Sequence, residues 1–457
     1  MRRSMIAFLA CSLAAVAAVG PASGAARTST PSYRVYVAPQ NLGNNAGEPT
    51  LGVIPNSDIV LFQALKETLH VTAFDKKRAG TAEWRNVAPF ITEQHTFDPI
   101  LEMDPNTGRT FVSQLMLGCS LMAFTDDRGE SWTDVPLGCG AGAMFDHQSV
   151  AVGPYVKGGT LLSLRQGSYP NVVYYCAQDV ASAKCAPSVD GGRTFLPANV
   201  VYHTGQCQLG GIFGHLKAGP DGTLYLPPRY CPNILSNSFP AGVAVSEDNG
   251  LTWTMRTVPG SRYGDAGHGS VAVGKDGTVY LSWGGGDFPK GGPVNVAVSR
   301  DKGRTWTKPV AVGGEYRIKN SRFPVAVAGD GDRAVVAWLG TNESGDGSAA
   351  AFNGTWYLYA SHTYDRGKTW RSYRVAANPV QVGAVCTSGT TCGSDRNLLD
   401  FNDMVVDSKG RVYIGFADGC LRSSCDKKDR HDKASIARLV SGRGLYAKYD
   451  RTLFAAK

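Results

Sequence analysis

The chain has 457 residues, a formal net charge of +8, 55 glycines and 24 prolines. Arg2 and Arg3 at the extreme N-terminus supply two of these charges. The other basic residues are scattered rather than interleaved with aromatics, which argues against a nucleic-acid partner. Helical periodicity is weak throughout, and the glycine and proline content is typical of an all-β protein rich in hairpins.

The first 25 residues predict a secretory signal peptide. A positive start at residues 1–3 precedes an apolar stretch at residues 5–19, and the small residues 23–25 form a cleavage site. The apolar stretch is too short for a spanning helix. We therefore expect a secreted, extracellular protein with no membrane span, whose mature part begins near Ala26.

Cysteine usage agrees with an oxidising compartment. Of the 11 cysteines, Cys11 lies in the signal segment and ten remain. An even number in a secreted chain favours disulfides. No Cys-x-x-Cys pair is present, which argues against a zinc ribbon. As a hypothesis, the spacing favours five local pairs: Cys119–Cys139, Cys176–Cys185, Cys207–Cys231, Cys386–Cys392 and Cys420–Cys425.

A strand–turn–strand unit recurs along the mature chain. Each copy is a short apolar run, a turn cluster and a β-branched or aromatic run, which is the signature of a β-hairpin. The seven copies occupy residues 48–63, 98–114, 147–165, 215–229, 268–283, 322–338 and 403–416. They predict a seven-bladed β-propeller of about four strands per blade.

The blades account for nearly the whole mature chain, so residues 26–457 are expected to form one propeller domain. Residues 33–37 alternate between apolar and polar side chains, and they precede the first hairpin. We expect this segment to pair with the last blade and close the ring, since closure removes a free sheet edge.

A second repeat lies between the hairpins, with the pattern Ser/Thr-x-Asp-x-Gly-x-Ser/Thr-aromatic. Its five copies begin at Thr125, Ser188, Ser246, Ser299 and Thr363. The aspartate can accept hydrogen bonds from the turn amides, and the glycine can take the positive φ of a tight turn. One turn repeated five times is a folding device, so these aspartates are predicted to be structural.

This eight-residue pattern resembles the Asp box, or BNR repeat, of the sialidase superfamily. The resemblance extends from about residue 75 to residue 370, and residues 72–84 form a degenerate further copy. It implies that each box closes the outer hairpin of a propeller blade, away from the active site.

The starts of the seven hairpins should converge near the propeller axis, and they are unusually polar. Converging titratable groups in a cleft are typical of a functional site. The candidate catalytic residues are Asp98, Asp146, His147, His215, Tyr263, Asp265, His268 and Asp403. The candidate substrate-binding residues are Glu48, Arg165, Arg229 and Arg322.

Three chemistries fit these residue types. Two carboxylates, drawn from Glu48, Asp98, Asp146, Asp265, Asp400 and Asp403, could hydrolyse a glycosidic bond, with arginines holding a substrate carboxylate. Alternatively, one of the histidines with Tyr263 could abstract a proton beside a uronate carboxylate, which is lyase chemistry. The third is metal binding, and the sequence spacing gives no ligand signature for it.

The sialidase family uses three arginines, a Tyr–Glu nucleophile pair and an aspartate acid/base, and its first arginine belongs to an Arg-Ile-Pro motif in the first blade. Here the first blade opens with Glu48-Pro49, and the nearest match, Arg322-Phe323-Pro324, opens the sixth. The fold is expected to carry over.

The expected function is a secreted carbohydrate-active protein, a sialidase-like glycoside hydrolase with its site at the propeller axis. A polysaccharide lyase and a non-enzymatic glycan- or protein-binding propeller are the alternatives. The expected partner is a glycan or polysaccharide, and the expected state is a monomer. No motif requires a cofactor, and a structural divalent cation is left open.

Overall fold

The computed structural model describes residues 30–454 apart from 93–96, 117–118, 140–145, 180, 204–205, 207–212, 230–238, 265–268, 288–289 and 423. The predicted signal peptide lies outside these residues. The described part forms seven antiparallel sheets in a ring, which confirms the predicted seven-bladed propeller. No helix in the described ranges is long and apolar enough to cross a membrane.

The chain starts with β1 (Ser32–Val37), which precedes the strands of blade 1. Blade 1 holds β2 (Thr50–Val53), β3 (Val60–Ala64), β4 (Glu67–Thr72) and β5 (Glu83–Asn86). Blade 2 holds β6 (Phe97–Met103), β7 (Thr110–Met116), β8 (Cys119–Thr125) and β9 (Thr133–Cys139). Blade 3 holds β10 (Asp146–Pro154), β11 (Asn171–Gln178), β12 (Ser182–Ser188) and β13 (Asn199–His203). Blade 4 holds β14 (Lys217–Ala218), β15 (Leu224–Leu226), β16 (Gly242–Ser246) and β17 (Thr254–Thr257).

Blade 5 holds β18 (Ser270–Val273), β19 (Val279–Gly284), β20 (Val294–Ser299) and β21 (Val310–Ala311). Blade 6 holds β22 (Asn320–Ala328), β23 (Ala334–Thr341), β24 (Thr355–Thr363) and β25 (Arg371–Arg374), with the short β26 (Gln381–Val382) beside β24. Blade 7 holds β27 (Asp403–Val406), β28 (Val412–Asp418) and β29 (Lys433–Ser441). Helical segments are short: α1 (Thr160–Ser163) and the 3₁₀ turns Phe90–Thr92, Gly314–Tyr316, Gly389–Arg396 and Ala447–Tyr449.

The ring is closed by the first strand. β1 pairs antiparallel with β29, with Tyr33 opposite Leu439 and Val37 opposite Ser435, so it becomes the outermost strand of blade 7. Tyr36 is completely buried there and its hydroxyl donates to Asp75 Oδ2 at 2.7 Å. The predicted closure by residues 33–37 is confirmed.

The third predicted hairpin is wrong in its second strand. Residues 155–165 form a loop with the one-turn helix α1, and the strand that pairs with β10 is β11 (Asn171–Gln178). Leu161 of α1 is buried, whereas Leu162 and Leu164 are exposed, so these apolar residues do not form the face of a strand. The β-branched and aromatic residues of β11 fit a fully buried strand better.

Neighbouring blades are joined at the innermost strands by a recurring hydrogen bond. A backbone N–H of one innermost strand donates to a side-chain oxygen of the preceding blade. The pairs are Leu51 N to Asp403 Oδ2 (3.1 Å), Leu101 N to Thr50 Oγ1 (2.7 Å), Leu216 N to Ser149 Oγ (2.9 Å) and Ala326 N to Ser270 Oγ (3.1 Å). These bonds hold the axis together where no sheet crosses from blade to blade.

The eight-residue repeats connect the third and fourth strands of blades 2 to 6. In the fourth copy, Asp301 Oδ1 accepts from Thr305 N at 2.8 Å and Oδ2 accepts from Thr305 Oγ1 at 2.7 Å. Ser299 Oγ donates to Asp301 and accepts from Gly303 N at 2.7 Å. The hydrogen bonds from Thr305 lower the pKa of Asp301 to about 2. The predicted structural role of these aspartates agrees with this geometry.

The repeats also fix which face of the ring can carry a site. Strands alternate in direction within a blade, so the third strand ends on the face opposite the one where the innermost strand begins. We call the face where innermost strands begin the axial face. The predicted site residues are concentrated on that face, and the eight-residue turns lie on the other.

Three of the expected disulfides are present: Cys176–Cys185, Cys386–Cys392 and Cys420–Cys425. Cys119 and Cys139 are cross-strand partners of β8 and β9, but their side chains lie outside the described part. Cys207 and Cys231 also lie outside it.

Candidate functional site

The innermost strands begin with an unusual backbone. Glu48, Asp98, His147 and Phe323 have φ of 56°, 47°, 46° and 57°, values that non-glycine residues rarely adopt. In three of these blades the pairing register also shifts at this point, as between Phe97 and Ile100. Such bulges redirect side chains and are common beside active sites. The axial face therefore carries local strain at the predicted positions.

The first group on this face is the acidic cluster, which comprises Glu48, Asp98, Arg396 and Asp400. Glu48 is 2% exposed and hydrogen-bonds with the Asp98 carboxyl. Burial raises the pKa of Glu48 well above its usual value, and the negative charges of Asp98 and Asp400 raise it further. Glu48 Oε2 has no hydrogen-bond partner in the described part. Burial and the neighbouring carboxylates therefore favour the protonated form of this carboxyl.

Arg396 partly balances the acidic cluster. Its two terminal nitrogens bind the two oxygens of Asp400 at 2.6 and 2.7 Å, a bidentate ion pair. Its positive charge also lowers the pKa of Glu48, without offsetting burial and the two carboxylates. The cluster thus combines a carboxyl whose protonated form is favoured with an ion-paired carboxylate, the pairing that acid–base chemistry uses.

Beside the acidic cluster lies His215. Its ring packs edge-on against Phe401 with centroids 4.5 Å apart, and its Nδ1 is 4.0 Å from Asp403 Oδ1. Burial lowers the pKa of His215 to about 3, and the charges of Lys217 and His147 add to the effect. The imidazole is neutral at neutral pH.

Three buried polar atoms around His215 lack hydrogen-bond partners among the described residues: His215 Nε2, Asn402 Nδ2 and Asp403 Oδ1. A cavity of about 20 Å³ opens here, lined in part by His215, Ser270, Phe323, Asp400 and Asn402. That volume accommodates about one water molecule, whose hydrogen bonds could satisfy such atoms.

A second charged group lies further along the axis, on the innermost strands. A channel of about 290 Å³ is lined there by Glu102 and Lys217 among apolar residues. Burial raises the pKa of Glu102 to about 7, and the Lys217 ammonium opposes this rise. Asp403 contributes a further negative charge beside Lys217. The axis is therefore polar over more than one layer.

The other predicted residues are dispersed. Arg322 is 1% exposed and donates to Ser321 O at 3.0 Å and Asn320 Oδ1 at 3.3 Å, so protein oxygens hold its guanidinium. Tyr263 is buried in the loop after β17. Arg165 follows α1 on the face opposite the acidic cluster and donates to Ser168 O at 2.8 Å.

Arg229 follows β15 on the axial face, and its buried Nε has no hydrogen-bond partner in the described part. His147 lies at the start of β10, on the same face. The side chain of Asp146, and the whole of Asp265 and His268, lie outside the described residues.

Sequence reasoning missed Arg396, Glu102 and Lys217. Glu102 and Lys217 each interrupt an apolar run at an innermost strand, and this signal could have identified them. Arg396 lies in a segment without periodicity, and its spacing of four residues from Asp400 is the local signal that could have identified this ion pair. No group of three or more His, Cys, Asp and Glu side chains in the described ranges is arranged to hold a metal ion.

Comparison with known proteins gives fold likeness only. No protein-family model and no curated protein matches the chain. Among solved structures, a protein of unknown function from Dyadobacter fermentans DSM 18053 is 13% identical, covers 90% of this chain and 98% of its own, and has a TM-score of 0.47. Penicillium chrysogenum α-L-arabinanase, complexed with arabinobiose, is 13% identical over 75% and 92% of the two chains, with a TM-score of 0.43.

A mutant of Trypanosoma rangeli sialidase that displays trans-sialidase activity is 12% identical, with a TM-score of 0.41. The match covers 87% of this chain and 60% of the sialidase chain. Likeness at such low identity gives no information about the chemistry of the axial face.

Proposed function

We propose that this protein is a glycoside hydrolase whose acid–base residues are in the acidic cluster on the axial face. The observation that carries the proposal is the state of Glu48. Burial and two neighbouring carboxylates raise its pKa well above the usual value, which suits a general acid that protonates a glycosidic oxygen near neutral pH.

The second carboxylate of the proposed mechanism is Asp400. Asp98 shares a hydrogen bond with Glu48, and that is closer than the roughly 5 Å separation of the two carboxyls in retaining glycosidases. Asp400 is held by the two bonds from Arg396 and influences Glu48 through its charge. It is the better candidate for nucleophile or base, while Asp98 tunes the acid.

We propose that the substrate is an anionic glycan. The buried Nε of Arg229, which has no hydrogen-bond partner among the described residues, supports a role in binding a substrate carboxylate or hydroxyl. The resemblance of the five repeats to the Asp box makes α-sialosides the first class to test. Arg322 contributes less to this proposal, because its guanidinium is already hydrogen-bonded to protein oxygens.

The lyase alternative has weaker support. A lyase needs a base that can accept a proton near neutral pH, and efficient bases have pKa values close to the working pH. Burial lowers the pKa of His215 to about 3, which makes it a weak base. The carboxyl pair therefore supports hydrolysis better than His215 supports elimination.

The test is to incubate the protein with sialosides, neutral glycans and uronate polysaccharides. New reducing ends and the ultraviolet absorbance of unsaturated products are followed together. We expect reducing ends without absorbance. Absorbance would establish a lyase instead, and no product across the whole panel would contradict the hydrolase proposal.

The Glu48→Gln variant should lower the turnover number at least 100-fold, because an amide cannot donate the proton, and general acid catalysis typically supplies about 10²–10⁴-fold. Glu83→Gln is the matched control, since Glu83 lies on the outer strand β5 and pairs with Lys77. It should retain full activity. Both variants should show the wild-type circular dichroism spectrum. A folded Glu48→Gln variant with wild-type turnover would rule out Glu48 as the acid.

A further inference from the structure

A groove separate from the acidic cluster lies between the last two blades. Its volume is about 1000 Å³, at the upper end of the range for small-molecule sites. One wall is β1 with the start of β29, and the other is the segment 375–380 that follows β25. None of the four residues of the acidic cluster lines this groove, so the two are distinct.

The lining combines apolar and amide side chains. Val35, Val37, Ala376, Pro379 and Leu421 supply the apolar part, and Val37 and Leu421 are 42% and 46% exposed. Gln40 and Asn378 supply amides, which offer both donors and acceptors to hydroxyl groups. Such a mixture suits a saccharide ring, which has apolar faces and hydroxyl edges.

Asp418, at the end of β28, is one of two aspartates in this lining, the other being Asp432, and it is 9% exposed. Its Oδ1 accepts from Cys420 N at 2.9 Å. No other hydrogen bond or ion pair reaches its carboxyl from the described residues. Burial raises the pKa of Asp418 to about 7. A buried carboxylate without a cationic partner is unfavourable, and a bound cation would relieve that cost.

The other charged groups of the groove already have partners. Lys433 Nζ donates to Gln40 O, Leu42 O and Asn44 Oδ1 at 3.1, 2.6 and 2.9 Å. Arg34 pairs with Asp75 at 2.7 Å, and His431 Nε2 lies 3.9 Å from Asp429. Asp432 Oδ1 also accepts one backbone N–H, from Asn45 at 3.0 Å. Burial raises the pKa of Asp432, but the charges of His431 and Lys433 oppose that rise, whereas no such cation opposes it at Asp418. Among these groups, Asp418 is the one that a ligand's charge would complement.

We propose that the groove between blades 6 and 7 binds an amino sugar, with its protonated amine on the Asp418 carboxylate and its ring against the apolar wall. This site does not depend on the proposed hydrolase activity. It would hold an amine-bearing saccharide whether or not the axial face performs catalysis.

The probes are the glucosamine trisaccharide and its fully N-acetylated counterpart, which lacks the positive charges. Each is titrated into a protein of residues 26–457 by calorimetry at pH 6. We expect the glucosamine trisaccharide to bind at least tenfold more tightly than the acetylated one. Equal affinities would overturn the cation proposal in favour of a neutral-sugar groove, and absence of binding would overturn the site altogether.

Two variants locate the binding. Asp418→Asn keeps an acceptor oxygen for Cys420 N but removes the charge, so it should abolish the tenfold preference for the glucosamine trisaccharide. Asp432→Asn is the matched control in the same groove and should change the dissociation constant less than twofold. An unchanged preference in Asp418→Asn would place the amine elsewhere. Binding that persists in Glu48→Gln separates this site from the acidic cluster.

Proton release provides an independent readout. Amine binding lowers the pKa of Asp418, so the wild-type protein should release a proton at pH 6, measured from the binding enthalpies in two buffers of different ionisation enthalpy. Asp418→Asn should release none. Wild-type binding without proton release would contradict contact between the amine and Asp418.

Discussion

At the scale of single residues, the buried carboxyls dominate the chemistry of this propeller. Burial is the first cause of the raised pKa of Glu48, Glu102, Asp403 and Asp418. The aspartates of the eight-residue turns behave in the opposite way, because turn hydrogen bonds lower the pKa of Asp127 and Asp301 to about 2. Aspartates of one chain thus hold different protonation states, set by burial and hydrogen bonding.

The pH dependence of stability follows at Asp418. Its pKa rises from 3.8 in the unfolded chain to about 7 in the folded protein. Because the folded pKa is the higher one, this contribution to stability is complete below about pH 4 and is lost as the pH rises through 7. A tenfold change in an ionisation constant corresponds to about 1.4 kcal/mol, so Asp418 makes unfolding easier by about 4 kcal/mol at pH 8 than at pH 4.

Asp418→Asn should remove that part of the pH dependence. Urea unfolding of both proteins at pH 4.5, 6 and 8 measures it, with the disulfides kept oxidised. The variant should gain stability relative to the wild type as the pH rises. Parallel curves for the two proteins would mean that Asp418 ionises normally.

At the scale of elements, the eight-residue turn is a self-contained unit. Its aspartate accepts a backbone N–H and a hydroxyl four residues later, and the preceding hydroxyl binds both the aspartate and the glycine amide. In the first copy, Trp132 Nε1 also donates to Val87 O of the preceding blade at 2.7 Å. The turn therefore closes its own hairpin and also joins neighbouring blades.

Replacing Asp301 by Ala should destabilise the protein by about 1–2 kcal/mol, because three hydrogen bonds in an exposed turn are lost together. Asp58→Ala is the control, since Asp58 lies in the β2–β3 turn without a side-chain hydrogen bond among the described residues. Urea unfolding measures both variants. Neither should alter turnover, since both lie away from the axial face; a large loss of activity in Asp301→Ala would contradict that placement.

At the scale of the whole molecule, stability depends on closing the ring. The single strand β1 completes blade 7, while the innermost strands are linked by bonds such as Leu51 N to Asp403 Oδ2. Without β1, β29 would present an unpaired edge, which is a site for aggregation. Blade 7 would also lose the wholly buried Tyr36.

A protein that begins at residue 39 should unfold at a temperature at least 10 °C lower than one that begins at Ala26, or should aggregate. Adding a synthetic peptide of residues 30–38 should restore part of the lost stability by pairing with β29. Differential scanning calorimetry with and without the peptide measures both effects. Equal melting temperatures for the two proteins would show that β1 does not close the ring.

Much of the fold was readable from the sequence because the repeats are local. The eight-residue turns, the hairpins that begin at Glu48 or Asp98 and the closing segment at residues 33–37 each depend on patterns within about 20 residues. The prediction of a strand at residues 155–165 was wrong because a loop there has an apolar sequence typical of a strand. The strand that pairs with β10 begins at Asn171.

The sequence by itself determined the number of blades, the outer position of the repeated turns and the polar character of the innermost strand starts, because periodicity encodes repeating units. Only the tertiary structure decided which polar residues meet. Lys217 of blade 4 comes close to Glu102 of blade 2, and the Arg396–Asp400 pair, four residues apart in one loop, comes close to Glu48 of blade 1. The tertiary structure also decided that protein oxygens, including Val385 O, hold the Arg322 guanidinium. Asp418 has no cationic partner among the described residues, because Lys433 donates to Leu42 O instead. Pairing across the ring depends on distances in space that sequence spacing does not encode.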